Sequence, residues 1–266
     1  MEIFGYIASV LIGISLGLIG SGGSILTVPV MVYLFSVSPQ LATSYSLFVV
    51  GTTSLIGVFT RLKSGAVKPA TAFLFAVSSV LTVYLTRKLI IPHIPATLFS
   101  IGNFRVTASM VTMLLFAVLM LLSAVSMIRN KKRPVQNDQP VDRTRLAIYG
   151  IGIGLVTGFL GAGGGFLIVP TLVLLCGLNM KEAVGTSLLI IASNSLTGFV
   201  GDIGHFQINW KLLGTITSLA VIGILIGTQL SKKIKNENLK KGFGWFVLIM
   251  GIYIIIKEFF LNHIGT

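Results

Sequence analysis

Apolar residues in this chain come in runs too long for strands and too continuous for the one-sided helices of a soluble core. Segments at about 3–19, 24–37, 42–60, 69–86, 106–128, 146–160, 165–178, 183–200, 212–230 and 243–261 carry almost no charge, and polar residues gather between them. A helix needs about 20 residues to cross a hydrocarbon layer of roughly 30 Å, so the pattern predicts ten helical segments in an all-α, polytopic integral membrane bundle. A basic stretch, Arg129-Asn130-Lys131-Lys132-Arg133-Pro134 through Asp142-Arg143-Thr144-Arg145, separates five segments from five. The predicted organisation is a first transmembrane repeat at 1–128, a cytoplasmic linker at 129–145 and a second transmembrane repeat at 146–266. Ile3 to Ile19 has neither a basic leader nor a small-residue cleavage site, so it is expected to be a retained segment.

The halves are copies. Sliding the second back by 141 places registers it on the first without a gap from Gly13 to Gly57, and 16 of those 45 positions are identical. The matches favour glycine, proline and small polar residues: Gly20/Gly161, Gly22/Gly163, Gly23/Gly164, Pro29/Pro170, Ser46/Ser187, Ser54/Ser195. Each copy opens on a glycine cluster, Gly20-Ser21-Gly22-Gly23-Ser24 and Gly161-Ala162-Gly163-Gly164-Gly165. Each Gly costs a helix interior about 0.8–1 kcal/mol relative to Ala, so the helix is expected to break there and restart. The short runs that follow, from Ser24 to Val37 in the first half, either cross the bilayer or enter it partway. Pro29 and Pro170 predict a kink within them.

Composition sharpens the class and charge sets the orientation. The chain is 54% hydrophobic and 10% charged, with a mean hydropathy of +0.94, values outside the range of soluble domains. The net charge of +13 lies in loops between apolar runs, as a membrane protein arranges it to fix its topology, and nucleic acid is not an expected partner. With ten crossings and the linker inside, fifteen Lys and Arg face the cytoplasm, while Arg87, Lys88, Arg105, Lys211 and Lys257 face out. Eight crossings would turn the cluster from Lys232 to Lys241 outward. An odd number of crossings per half is therefore predicted, which makes the repeats inverted, a construction typical of alternating-access transporters.

The glycine clusters present amide N–H groups at the starts of helices, where a negative ion is favoured; the competing reading is close helix packing. Candidate substrate-binding residues are Gly20, Ser21, Gly22, Gly23, Ser24, Gly161, Gly163, Gly164 and Gly165. Hydroxyls and one amide in the second matched region extend the set, with Ser44, Ser46, Thr52 and Thr53 in one half and Thr186, Ser187, Ser193 and Asn194 in the other. Ser54 and Ser195 accompany them. The ionisable residues Arg61, Arg105, Glu182, Asp202 and His205 fall at segment ends, where snorkelling or a loop salt bridge is expected, so no buried carboxylate or histidine relay is foreseen. His93 and His263 are expected at the surface. The single cysteine, Cys176, excludes an internal disulfide and a cysteine metal cage; it packs as a small hydrophobe or touches a sulfur compound. No nucleophile–base set is present, and Gly20-Ser21-Gly22-Gly23 lacks the Gly-Lys-Ser/Thr of a phosphate loop. Neither catalytic nor metal-binding residues, nor any cofactor, are expected.

The early G-x-G-G followed by V-P, its recurrence after the linker, and Ala183-Val184-Gly185-Thr186-Ser187 resemble the sulfite exporter TauE/SafE family of bacterial and archaeal permeases over nearly the whole chain. The first-half counterpart, Ala42-Thr43-Ser44-Tyr45-Ser46, lacks the glycine and threonine of that A-x-G-T-S signature. The resemblance implies multi-pass placement in a prokaryotic cytoplasmic membrane and transport, commonly export, of small sulfur-containing anions such as sulfite or organosulfonates. The coupling ion, a proton or sodium, stays open, and lipid is the surrounding partner. A passive small-anion channel and an inert membrane subunit remain open alternatives.

Overall fold

The computed structural model describes residues 2–20, 22–62, 65–95, 97–101, 104–129, 143–160, 164–205 and 207–264. Ten α-helices form among them: α1 (Glu2–Ile19), α2 (Gly22–Leu34), α3 (Pro39–Leu62), α4 (Pro69–Leu85), α5 (Ala108–Arg129), α6 (Arg143–Leu160), α7 (Gly165–Leu174), α8 (Met180–Asp202), α9 (Trp210–Lys233) and α10 (Asn236–Ile264). Each predicted apolar segment falls on one of them. In lipid a backbone polar group finds no water, and the helix satisfies all of them within one segment. Four stretches, Pro39–Leu62, Pro69–His93, Met180–Asp202 and Trp210–Lys233, are by length and composition able to cross a membrane. α7 has only 10 residues and rises about 15 Å, half a hydrocarbon core.

Local chemistry sets the ends. Asn179 and Glu182 form a reciprocal capping box that starts α8, the Asn209 side chain accepts from Leu212 N–H to start α9, and Pro69 opens α4 where its missing N–H costs nothing. α4 runs on through a π-helical turn, Thr86–Ile90, and a 3-10 turn, Ile91–His93. A short antiparallel hairpin follows, β1 (Thr97–Ile101) and β2 (Phe104–Thr107), a small addition to the helical bundle. The intervening loop is rich in Thr, Phe, Val and Ile, which favour a pleated strand.

Helix directions follow from who meets whom. A Cβ at Gly13 or Gly17 of α1 would strike the α9 backbone at Ala220 or at Ile224 to Thr228, and one at Gly223 or Gly227 would strike α1 at Val10 or Ile14, so these two helices run parallel in backbone contact. α3 runs parallel to α9, since Tyr45 Oη accepts from Asn209 N at one end and Arg61 reaches Ser231 at the other. The counterpart set is α4, α6 and α8: Gly150, Gly154 and Gly158 press on Phe75, Ser79 and Thr86, and Ser79 and Arg87 bond Asn194 and Asp202. Two parallel triples result, each made of two helices from one half and one from the other.

The triples oppose each other. Along the α3–α8 contact, Gly198 lies beside Leu47, Gly51 beside Leu196 and Gly57 beside Leu188, an antiparallel register. α3 and α8 are the most enclosed spans, with 72% of each window buried against 28% for α4. Outward faces carry apolar stripes at helical spacing, such as Phe73, Val77, Leu81 and Leu85 on α4 and Ile222, Ile226 and Leu230 on α9. The inside is partly polar and the outside greasy, the reverse of a soluble protein and what a bilayer demands. Lys68, Lys181, Lys232, Lys233 and the start of α6 all lie at one end of the bundle, where Lys68 pairs with Glu182 at 3.0 Å.

Candidate functional site

The axis of the molecule is the α3–α8 contact, and its polar side chains are unusual. Ser46, Thr53 and Ser54 on α3, with Asn194 and Ser195 on α8, are each 0% exposed. Ser79 Oγ lies 2.8 Å from Asn194 Oδ1 and donates to it, but the Asn194 Nδ2 and the hydroxyls of Ser46, Thr53, Ser54 and Ser195 have no partner. Thr53 and Asn194 occupy matched positions of the two repeats, as do Ser54 and Ser195, and the antiparallel register brings these four to one level near mid-helix.

A helix-borne hydroxyl has a simple remedy in lipid, which is to return its hydrogen to a carbonyl three or four residues back. Ser9, Thr27, Thr171 and Thr217 all do so, at 2.7–2.8 Å. The central group does not. A buried polar group without a partner costs about 1–3 kcal/mol. Five of them cost about as much as the whole net stability of a typical domain, so the arrangement asks for an occupant.

Of the remaining predicted hydroxyls, Thr186, Ser187 and Ser193 hold structural bonds. Thr186 Oγ1 accepts from Lys68 N at 3.0 Å, fixing the entry to α4; Ser187 Oγ donates to Val184 O at 2.9 Å and half-buried Ser193 to Leu189 O at 3.0 Å. Thr52 is half-buried on α3. Ser44 lies beside the Asp202 carboxylate.

The glycine bends flank this strip. Gly20 takes a left-handed φ of 78°, closes α1 through a 2.7 Å bond from its N–H to Leu16 O, and abuts Val184 and Ser187 of α8. Gly164, with φ of 64°, caps α7 against Thr157, and Gly23 lies on Ile12 and Leu16. Gly22 opens α2, Ser24 lies in its first turn, and buried Gly165 opens α7. Ser21, Gly161, Ala162 and Gly163 lie outside the described residues. Of the clusters' glycines, Gly20, Gly23 and Gly164 therefore make close protein contacts, and the polar strip lies on the helices beside them.

Sequence reasoning missed the buried charges. Asp202, expected at a segment end where it would snorkel or make a loop salt bridge, and Arg87, counted among the outward-facing basic residues, form a salt bridge at 3.0 Å with side chains 1% and 2% exposed. Burial in the bundle encloses both because the π-turn extends α4 alongside the last turn of α8. Arg87 Nη1 also donates to Thr43 Oγ1 at 3.2 Å. Beside the pair opens a cleft of about 160 Å³ lined by Gln40, Arg87, Ile91, Pro92, Ile94, Asp202 and His205, at the end opposite the lysine-rich one. At that other end Arg61, 5% exposed, donates through Nη2 to Gly17 O at 2.7 Å and to Ser231 Oγ at 2.6 Å. One signal was available: Arg61 and Asp202 stand 141 places apart, the repeat offset, with opposite charge.

A helical bundle greasy outside, enclosing a polar strip between duplicated helices, is the build of an integral membrane protein, and the proteins it resembles are membrane transporters. The chain belongs to the sulfite exporter TauE/SafE family, whose sequence profile matches residues 6–254. It is 30% identical over 258 residues to a probable membrane transporter protein of Xylella fastidiosa (strain Temecula1), covering 93% of this chain and 92% of that one. Probable membrane transporter protein YunE of Bacillus subtilis is 27% identical over 288 residues, covering 96% and 99%, and MJ0441 of Methanocaldococcus jannaschii, with the same description, is 22% identical over 266 residues, covering 94% of each. No solved structure matches the chain.

Proposed function

We propose that this protein is a secondary transporter, working as an exporter, of small sulfur-containing anions such as sulfite or organosulfonates across a prokaryotic cytoplasmic membrane. The observation that carries the reading is the set of unpartnered, fully buried donors on repeat-matched positions of α3 and α8. Hydroxyl and amide donors suit an oxyanion, which accepts several hydrogen bonds at once. Neutral donors hold it loosely enough for release.

Inverted repeats and alternating access belong to the same proposal. In support, α3 and α8, equivalent in the repeat, run antiparallel, and the two parallel triples meet along them. Rocking one triple against the other would expose the strip first to one side and then to the other. The glycine bends, Gly20 touching Ser187 among them, are the joints on which such rocking turns. The basic end faces the cytoplasm by the positive-inside rule. A proton or sodium ion is the coupling partner to be sought, and the family name supports the sulfur-anion substrate.

Flux into proteoliposomes is the test. Saturable sulfite or sulfonate transport with counterflow is the expected result. Current that follows voltage without counterflow would mean a channel, and inert vesicles toward every oxyanion tried would remove transport of anions altogether.

A further inference from the structure

The cleft beside Arg87 carries chemistry that the central strip does not. Arg87 is the largest fully buried side chain among the described residues, and only one of its three guanidinium nitrogens has partners. Nη1 serves both Asp202 and Thr43, while Nε and Nη2 are buried without an acceptor. These two N–H groups form one edge of a planar fork, the edge that matches two oxygens of a carboxylate, sulfonate or phosphate. A purely structural pair would use that edge, since an arginine enclosed for stability alone leaves a costly defect if two donors go unmet.

We propose that Arg87 forms an oxyanion subsite at the cleft end of the transport path, binding through Nε and Nη2, with Asp202 acting as a positioning residue that holds the guanidinium from its far side. The inference rests on the anion-transport reading above and adds a second station to it. An incoming group with at least two oxygens on one centre, a sulfonate or sulfite rather than a halide, takes the open edge once the cleft admits it past Gln40 and His205, which line the same space. Asp202 already neutralises the guanidinium, so the visitor is drawn by directed hydrogen bonds and held without a net cationic trap. That balance permits release. The bond between Arg87 and Thr43 ties the subsite to the first turns of α3, the helix that carries half of the central strip.

The experiment measures anion-dependent thermal stability of the purified full chain in detergent, with sulfite and methanesulfonate titrated against chloride at constant ionic strength. Wild type should be stabilised by the oxyanions over chloride. Arg87→Lys keeps the charge opposite Asp202 but loses the fork, and should raise the apparent Kd about tenfold, the equivalent of about 1.4 kcal/mol. Asp202→Asn keeps an acceptor for Nη1 while removing the counter-charge, and should lower the apparent Kd and slow release. Shifts of opposite sign are the signature, because a merely structural pair would weaken both variants alike. An unchanged Kd in Arg87→Lys overturns the subsite and leaves the transporter standing. Should Arg87→Lys fail to fold, an Asp202→Asn protein with wild-type Kd overturns it equally. Wild type indifferent to every oxyanion removes the parent reading together with this one.

Discussion

The two ends of the α3–α8 core are built on one plan and finished differently. At the cleft end, the last turn of α8 supplies Asp202 to Arg87 of the extended α4, at 3.0 Å. At the lysine-rich end, the matched last turn of α3 supplies Arg61, which donates to Ser231 of α9 and to the Gly17 carbonyl. α4 and α9 also start 141 residues apart, and by that offset Thr228 stands where Arg87 would be. Each end thus encloses one arginine, brought by a different helix of the repeat. Duplication fixes the backbone frame, and side chains at its two mouths are free to diverge. On the proposed reading, unlike ends give the two sides of the membrane different affinities.

The largest expected effect breaks the cleft end. Asp202→Ala leaves a buried guanidinium without its charge partner and should cost about 3–5 kcal/mol. Ser231→Ala at the other end removes one hydroxyl acceptor and should cost about 1 kcal/mol. Thermal unfolding in detergent compares them, and equal losses would mean the ends do not differ. Next comes Gly20→Val, which places a β-branched residue at positive φ against Val184 and Ser187 and should destabilise by about 1–3 kcal/mol and abolish flux. Full flux would make the bend a packing feature alone.

At the centre, Ser54→Ala or Ser195→Ala deletes a donor that has no partner, so the melting temperature should hold or rise while the KM for the anion climbs several-fold. Ser9→Ala, which breaks an ordinary bond to Gly5 O, is the control and should leave KM alone. The gentlest test uses Cys176, a free cysteine buried between α7 and α8, which should resist maleimide. Gln40→Cys and Lys68→Cys, both at exposed positions, should then label from opposite sides of a vesicle. Labelling from one side would refute a membrane-crossing α3.

The sequence by itself determined the bundle. Ten apolar runs became ten helices because a helix satisfies every amide within one continuous apolar segment. The 141-residue offset identified α3 and α8 as equivalent elements of the two repeats. It also singled out Thr53 and Asn194 without saying which polar residues lack a bond, since an i−4 carbonyl is within reach of any helical hydroxyl and only packing decides whether it is used. Tertiary structure decided the interleaving of the halves, which depends on glycines pressing backbone to backbone across sequence separations of about 200 residues, such as Gly13 on Ala220. It likewise decided that Arg87 and Asp202 are enclosed. Charges near a segment end look solvated along the chain, and a helix prolonged through a π-turn from another part of the chain takes the water away.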